Sequence, residues 1–280
     1  MPPTVAVTHY PEGAGHATRM AAIAKAIEAN GGTVRMAGGG AGTEFVALDY
    51  RAWLSATDPD ALVTDDMFAA IAASRCDVPL YVLKHDMPGL YDDLAERTGA
   101  RFHTRFQLSS ASEFFYPVVW PESSADPDRA TRVPPVALDG QAPVEDGPDV
   151  VVVPSHYSSL SRIAEHLDRQ GYDVLDVADD DWEAVPSLLP YIRAADVVVC
   201  SGYSTIMDAA VAGTPCVVHP ATDEQDAVAD WLERFEVTGF TVAPDPIDVL
   251  DAVAAPPPAP NFRNGATVIA RRVLTDRPRP

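Results

Sequence analysis

Lysine is almost absent. Lys25 and Lys84 are the only two among 20 basic residues, which stand against 41 Asp and Glu for a net charge of -21. A basic face for gripping nucleic acid is excluded, because an acidic surface repels the phosphate backbone. Acid-rich, lysine-poor surfaces are the pattern of proteins from salt-loving cells, where dense salt screens self-repulsion. A halophilic setting is therefore expected; it bears on solubility rather than activity. Long apolar runs are missing too. Val150–Val153 and Val197–Cys200 fall far short of the ~18 residues a bilayer span needs. No N-terminal stretch has the basic-then-apolar layout of a secretory signal, so a cytoplasmic location is expected. Cysteine is scarce: Cys76, Cys200 and Cys216 have neither metal nor redox spacing, and reduced core thiols are expected. What is present is ordinary globular material, 47% hydrophobic and 22% charged over 280 residues, enough for two domains of similar size.

The chain alternates strand-like and helix-like segments. Thr4–Thr8 is a short β-type run, and His16–Ala29 carries Met20, Ile23, Ala24 and Ile27 at helical spacing. Asn30-Gly31-Gly32 ends that helix as a C-cap would, and Thr33–Ala37 is the next strand. Strands follow at Ala61–Val63 and Leu80–Leu83, with helices near Met67–Ser74 and Leu90–Thr98. Residues 121–148 are rich in Pro, Asp, Ser and Gly and are expected to link two domains, with one strand near Val136–Leu138. The rhythm then restarts: strands at Asp149–Val153, Asp173–Val177, Asp196–Cys200 and Cys216–His219, with helices at Leu160–Gln170, Pro186–Ala195, Ile206–Ala212 and Glu224–Phe235. Repeated βα units imply an α/β fold with parallel sheets. The expected architecture is two Rossmann-like domains, 1–120 and 149–262, facing across a cleft, with a last helix and loose tail over 263–280. Ligands in such sheets sit at the carboxyl ends of the strands.

Three constellations stand at such ends. Glu12-Gly13-Ala14-Gly15-His16 follows the first strand and opens the first helix. Gly13 and Gly15 let backbone approach a ligand, and the helix start offers free N–H groups. A dinucleotide fingerprint needs a third glycine where Thr18 stands, and the second strand ends without a ribose-binding acid, so NAD and FAD are disfavoured. His16 either reaches into the cleft or is a solvent-exposed turn residue. Cys200-Ser201-Gly202-Tyr203-Ser204-Thr205 runs from a strand into a helix, with Asp208 one turn past Ser204. Hydroxyls and N–H groups converging there suit a diphosphate, and Asp208 can accept from two ribose hydroxyls; the alternative is an ordinary N-cap followed by a surface acid. Asp223-Glu224-Gln225-Asp226 opens another helix, where acids cap in any case. Asp179-Asp180-Asp181 is set aside as an acidic surface, and Asp65-Asp66, after Ala61–Val63, is a better cleft candidate or a helix cap. No metal is expected. Phe102, Phe106, Phe114, Phe115 and Trp120 are the aromatic candidates for peripheral membrane contact, with a core role as the alternative.

In this order the motifs resemble the GT-B glycosyltransferases of the family-28 type, the group that adds N-acetylglucosamine to lipid-linked muramoyl precursors. The likeness rests on Gly15-His16, on Ser201, Gly202, Thr205 and Asp208, on Asp223, Gln225 and Asp226, on His85-Asp86-Met87-Pro88-Gly89-Leu90, and on Ser155-His156-Tyr157-Ser158. It implies an inverting, metal-independent hexosyltransferase using a UDP-sugar, with no further cofactor. Asp208 would meet the ribose; Ser155, Ser201, Gly202, Ser204 and Thr205 the diphosphate; Asp223 and Gln225 the sugar. The acceptor would lie at Gly13, Gly15 and His85, with His16 as general base or oxyanion stabiliser and Asp86 as the alternative base. A lipid-linked acceptor would place the protein at the inner face of the membrane. Two other readings stay open: a noncatalytic nucleotide-sugar-binding subunit, and a UDP-sugar epimerase.

Overall fold

The computed structural model describes residues 1–11, 13–37, 47–85, 94–124, 126–155 and 158–275. The chain divides into two compact units: Met1–Val118 with Glu122–Val136 and Asn264–Pro280, and Val119–Pro121 with Ala137–Arg263.

The first unit contains β1 (Thr4–Thr8), α1 (Ala14–Ala29), β2 (Thr33–Ala37), α2 (Ala47–Thr57), β3 (Ala61–Thr64), α3 (Met67–Ala73), β4 (Leu80–Leu83), α4 (Leu94–Ser110), β5 (Glu113–Pro117) and β6 (Thr131–Val133). Its sheet runs β2-β1-β3-β4-β5-β6, and every pair is parallel. β3 and β4 are buried at every residue, as strands covered on both faces must be; hence their continuous apolar runs. α1 turns Met20, Ile23 and Ile27 into the core.

The second unit contains β7 (Val150–Val153), α5 (Leu160–Arg169), β8 (Val174–Asp176), α6 (Leu189–Ala194), β9 (Val197–Cys200), α7 (Tyr203–Ala212), β10 (Cys216–Val218), α8 (Asp223–Arg234), β11 (Phe240–Val242) and α9 (Pro246–Ala254). Its sheet, also all parallel, runs β11-β10-β9-β7-β8. The detached piece Val119–Pro121 brings Trp120, 2% exposed, edge-on to Trp231 at 5.2 Å. The chain ends by returning to the first unit as α10 (Ala266–Thr275), which packs on α1.

Within each unit the first strand has the second on one side and the third on the other. The order of connection therefore reverses between β1 and β3, and again between β7 and β9. In open parallel sheets, ligands bind beyond the carboxyl ends at such a reversal.

The two-sheet α/β architecture read from the sequence is present, and several elements are longer or additional. Helix α4 continues from the expected stretch to Ser110 because its inward face holds Thr104 and Gln107, 4% and 2% exposed; polar residues there erase the apolar period. Within 121–148, the short β6 joins β5 and is cut off by Pro134-Pro135. Val136, Ala137 and Leu138 are buried without being a strand. Among the aromatic candidates for membrane contact, Phe114, Phe115 and Trp120 are at most 2% exposed, and this corrects that expectation for them: they are core. Phe102 is 70% exposed. Cys200 and Cys216 are buried in neighbouring strands as free thiols, their sulfurs within hydrogen-bonding reach at 3.6 Å.

Beside the β1/β3 reversal a buried chain of hydroxyls and carboxylate fixes the start of α3. Asp66 Oδ1 accepts from Phe68 N at 2.6 Å, and Oδ2 accepts from the Tyr50 hydroxyl at 2.9 Å. Burial, reinforced by Asp66, holds the Tyr50 hydroxyl above the usual tyrosine range, so it stays a donor. Asp66→Ala should lose the cap, ~1 kcal/mol, and orphan Tyr50, a further ~1–3 kcal/mol, in chemical denaturation; no measurable loss would contradict this. Burial also raises the Asp66 carboxyl above its ordinary range. The native state thus holds this proton more tightly than the unfolded chain, and stability falls as pH rises through that interval. Asp66→Asn cannot ionise and should flatten that fall in a pH-stability profile.

Candidate active site

At the β1/β3 reversal the paired residues Thr8 and Thr64 share a 2.6 Å hydrogen bond from the Thr8 hydroxyl. The next residues beyond β3 and β1 meet at once. Asp65 Oδ1 accepts from the Tyr10 backbone N–H at 2.7 Å. Asp65 Oδ2 lies 2.7 Å from His16 Nδ1, in the first turn of α1. Gly13, at φ 86° in the left-handed region, makes the turn into that helix, and Gly15 sits in its first turn. Arg19, one helical turn past His16 and buried, places Nη2 3.8 Å from Asp65 Oδ2. Its charge offsets the desolvation of a carboxylate only 5% exposed.

Arg19 Nη2 also approaches His16 Nδ1, at 3.3 Å, but the shorter 2.7 Å contact is to a carboxylate, which accepts when ionised, and it assigns the proton of the neutral ring to Nδ1. Nε2 is left as an acceptor on a side chain 30% exposed. A histidine oriented by a carboxylate, with its other nitrogen open to a substrate proton, is the arrangement of a general base. Tyr10 stands edge-on to the ring at 5.5 Å, and His85, beyond β4, lies 6.3 Å away. Burial, then the charges of Arg19, His16 and Lys84, push His85 well below the usual imidazole range. It stays neutral and adds no competing positive charge.

Asp86 lies outside the described residues; the carboxylate that meets His16 is Asp65. The sequence reading took Asp65-Asp66 only as a cleft candidate or a helix cap, and the cap proves to be Asp66. The signal that would have found Asp65 is topological: it is the first residue after the strand that pairs with β1.

At the β7/β9 reversal Val153 pairs with Cys200. Ser155 follows the first strand and Ser201 the second. Both hydroxyls are buried with no hydrogen-bond partner among the described residues, and Ser201 is 1% exposed. Helix α7 begins after Gly202, which supplies no side-chain cap; a Cβ there would meet nothing within 4 Å. Helix α5 begins after Ser159, also without a side-chain cap hydrogen bond. Two helix starts without side-chain caps, beside two unpartnered hydroxyls, can all donate to an anion. Ser204 is in the first turn of α7, and Thr205 and Asp208, 7% and 9% exposed, continue down it.

The third constellation is tied up locally. Thr222 Oγ1 accepts from Gln225 N, and Gln225 Oε1 accepts from Ala221 N at 2.8 Å, a variant of the capping box. Of the Gln225 side chain, the amide nitrogen remains for a ligand. Asp223 is exposed in the first turn of α8. Asp179–Asp181 form an exposed turn in which Asp181 N donates to Asp179 Oδ1 at 3.0 Å. Among the described residues no three His, Cys, Asp or Glu side chains gather as a metal site.

Solved structures with a similar fold exist. SsfS6, a glycosyltransferase of Streptomyces sp. SF2575, superposes with a TM-score of 0.62 at 15% identity, covering 98% of this chain and 95% of its own. The spinosyn rhamnosyltransferase SpnG complexed with thymidine diphosphate superposes at 0.59, 16% identity, 98% and 95% coverage. SnogD, a glycosyltransferase from Streptomyces nogalater, superposes at 0.58, 17% identity, 99% and 96% coverage. The fold is GT-B. No family model matches the chain, and no curated protein matches it in sequence.

The unpartnered Ser201 hydroxyl separates ligand binding from folding. Ser201→Ala deletes a buried group with no hydrogen-bond partner among the described residues, so thermal or chemical unfolding should show no loss, or a gain of up to ~1 kcal/mol. A clear loss of stability would mean that this hydroxyl holds the fold rather than awaiting a ligand.

Proposed function

We propose that the protein is an inverting glycosyltransferase, moving a hexose from a nucleoside-diphosphate sugar to an acceptor hydroxyl without a metal ion. The observation that carries this reading is the His16–Asp65 pair, 2.7 Å apart at the β1/β3 reversal. The acceptor hydroxyl donates to His16 Nε2 and transfers its proton there as the oxygen attacks the anomeric carbon. The bond from that carbon to the diphosphate breaks, and its electron pair leaves on the phosphate oxygen. A single in-line displacement inverts the anomeric centre. Asp65 holds the ring in register and stabilises the imidazolium that forms.

The leaving diphosphate is met by the amides opening α7 and by Ser155, Ser201, Gly202, Ser204 and Thr205, with Asp208 on the ribose. Donors aimed at the departing charge do electrostatically what a metal does elsewhere. Asp223 and the Gln225 amide are assigned to the sugar, and Gly13, Gly15 and His85 border the acceptor. The choice of a UDP-linked N-acetylglucosamine or similar hexose, and of a lipid-linked acceptor reached peripherally from the cytoplasmic side, rests on the family-28 motifs. Thymidine diphosphate in the spinosyn rhamnosyltransferase makes a TDP-sugar the other donor to try. Phe102 is the exposed aromatic available for membrane contact.

Titration with UDP and TDP, followed by transfer assays with their hexose sugars in high salt, tests the proposal. One of the nucleotides should bind. His16→Ala should lower turnover by ~10²–10⁴-fold and leave nucleotide affinity unchanged, and Asp65→Asn should lower turnover in the same direction. Failure to bind either nucleotide, or full transfer by His16→Ala, would overturn it.

A further inference from the structure

The first unit holds a second site that shares no residue with the two reversals. A cavity of about 760 Å³ opens between α4 and a wall formed by Ser124 and Asp126–Arg129. Its basic wall is Arg97, Arg101 and Arg105 of α4 and Arg129 of the facing loop. These are four of only 18 arginines in a chain of net charge -21. The three on the helix recur every fourth residue and so stack along one stripe. Like charges at that spacing work against the helix. Arg101, Arg105 and Arg129 are exposed and have no carboxylate or hydrogen-bond partner among the described residues.

Two details show that the wall is built rather than incidental. Arg129 sits at φ 73°, in the left-handed region that non-glycine residues seldom occupy, so a strained backbone carries that side chain toward the others. Thr104, in the same wall and 4% exposed, keeps its hydroxyl buried with no hydrogen-bond partner among the described residues. Two acids line the cavity as well, but Asp126 is already paired with Arg132. Leaving Arg97 aside, Arg101, Arg105 and Arg129 against Asp128 leave a surplus of two positive charges.

We propose that this pocket binds a phosphorylated small molecule, whose phosphate oxygens are held by Arg101, Arg105 and Arg129. Guanidinium forks match phosphate oxygens two at a time. A single carboxylate would leave half of the surplus unrelieved, whereas a dianionic phosphate balances it. The volume lies within the ~300–1,000 Å³ of small-ligand pockets, so there is room for an organic group beyond the phosphate. The proposal stands apart from the assignment of donor and base.

Hydrogen–deuterium exchange of the full chain with inorganic tripolyphosphate, at constant ionic strength, tests it. Saturable protection is expected within 97–109 and 126–129. Arg101→Glu/Arg105→Glu should weaken the protection about tenfold or more. Arg129→Gly should weaken it too while easing the backbone, so its melting temperature should not fall. The idea is overturned by protection confined to 153–160 and 200–205, by none at all, by an equal response to sulfate, by variants that bind as well as the parent, or by a response to anionic vesicles without one to tripolyphosphate.

Discussion

The hydrogen bond between His16 and Asp65 is the contact on which the rest of the account depends, and it exists because of strand register. Thr8 and Thr64 are partners across β1 and β3, so the chain leaves both strands at the same level. Asp65 is then the first residue out, and its two oxygens meet the Tyr10 amide and the His16 ring. A slip of one residue would turn the face of the whole strand and carry Asp65 away from the ring. Asp66 guards that register from the other side, because capping α3 and accepting from Tyr50 fix the backbone where Asp65 emerges.

The second unit repeats the topology with different furnishings. Where the first reversal is filled by a satisfied acid–imidazole pair, the second is left wanting. Two buried hydroxyls have no partner among the described residues, and the flanking helices start without side-chain caps. Each such orphan costs folding stability of the order of 1–3 kcal/mol, so a ligand that satisfies them stabilises the unit as it binds. In a strongly acidic chain, partial charges on helix amides are a means of attracting an anion without the lysines that the sequence so largely avoids.

Much of the fold was legible because buried parallel strands announce themselves as apolar runs. Val150–Val153, Val197–Cys200 and Leu80–Leu83 needed no context. The short edge strands β6 and β11, three residues each, carry too little pattern to register. The length of α4 was hidden by Thr104 and Gln107 on its inner face. At the site, His16 and the Ser201–Asp208 stretch could be picked out because glycine and hydroxyl residues gather where a strand becomes a helix. Asp65 could not be assigned its partner, since 49 residues separate it from His16 and only strand order brings them together. Gln225 was legible as a polar helix start, but its turn back onto Ala221 shows only in three dimensions.

The tautomer of the neutral His16 ring is the most direct test of the central contact. Nitrogen-15 NMR of histidine-labelled protein, assigned with His16→Ala, should find the proton on Nδ1 and Nε2 bare, with the distinction lost in Asp65→Leu. A wild-type ring carrying its proton on Nε2 would contradict the account, because no open nitrogen would then remain to take the acceptor's proton.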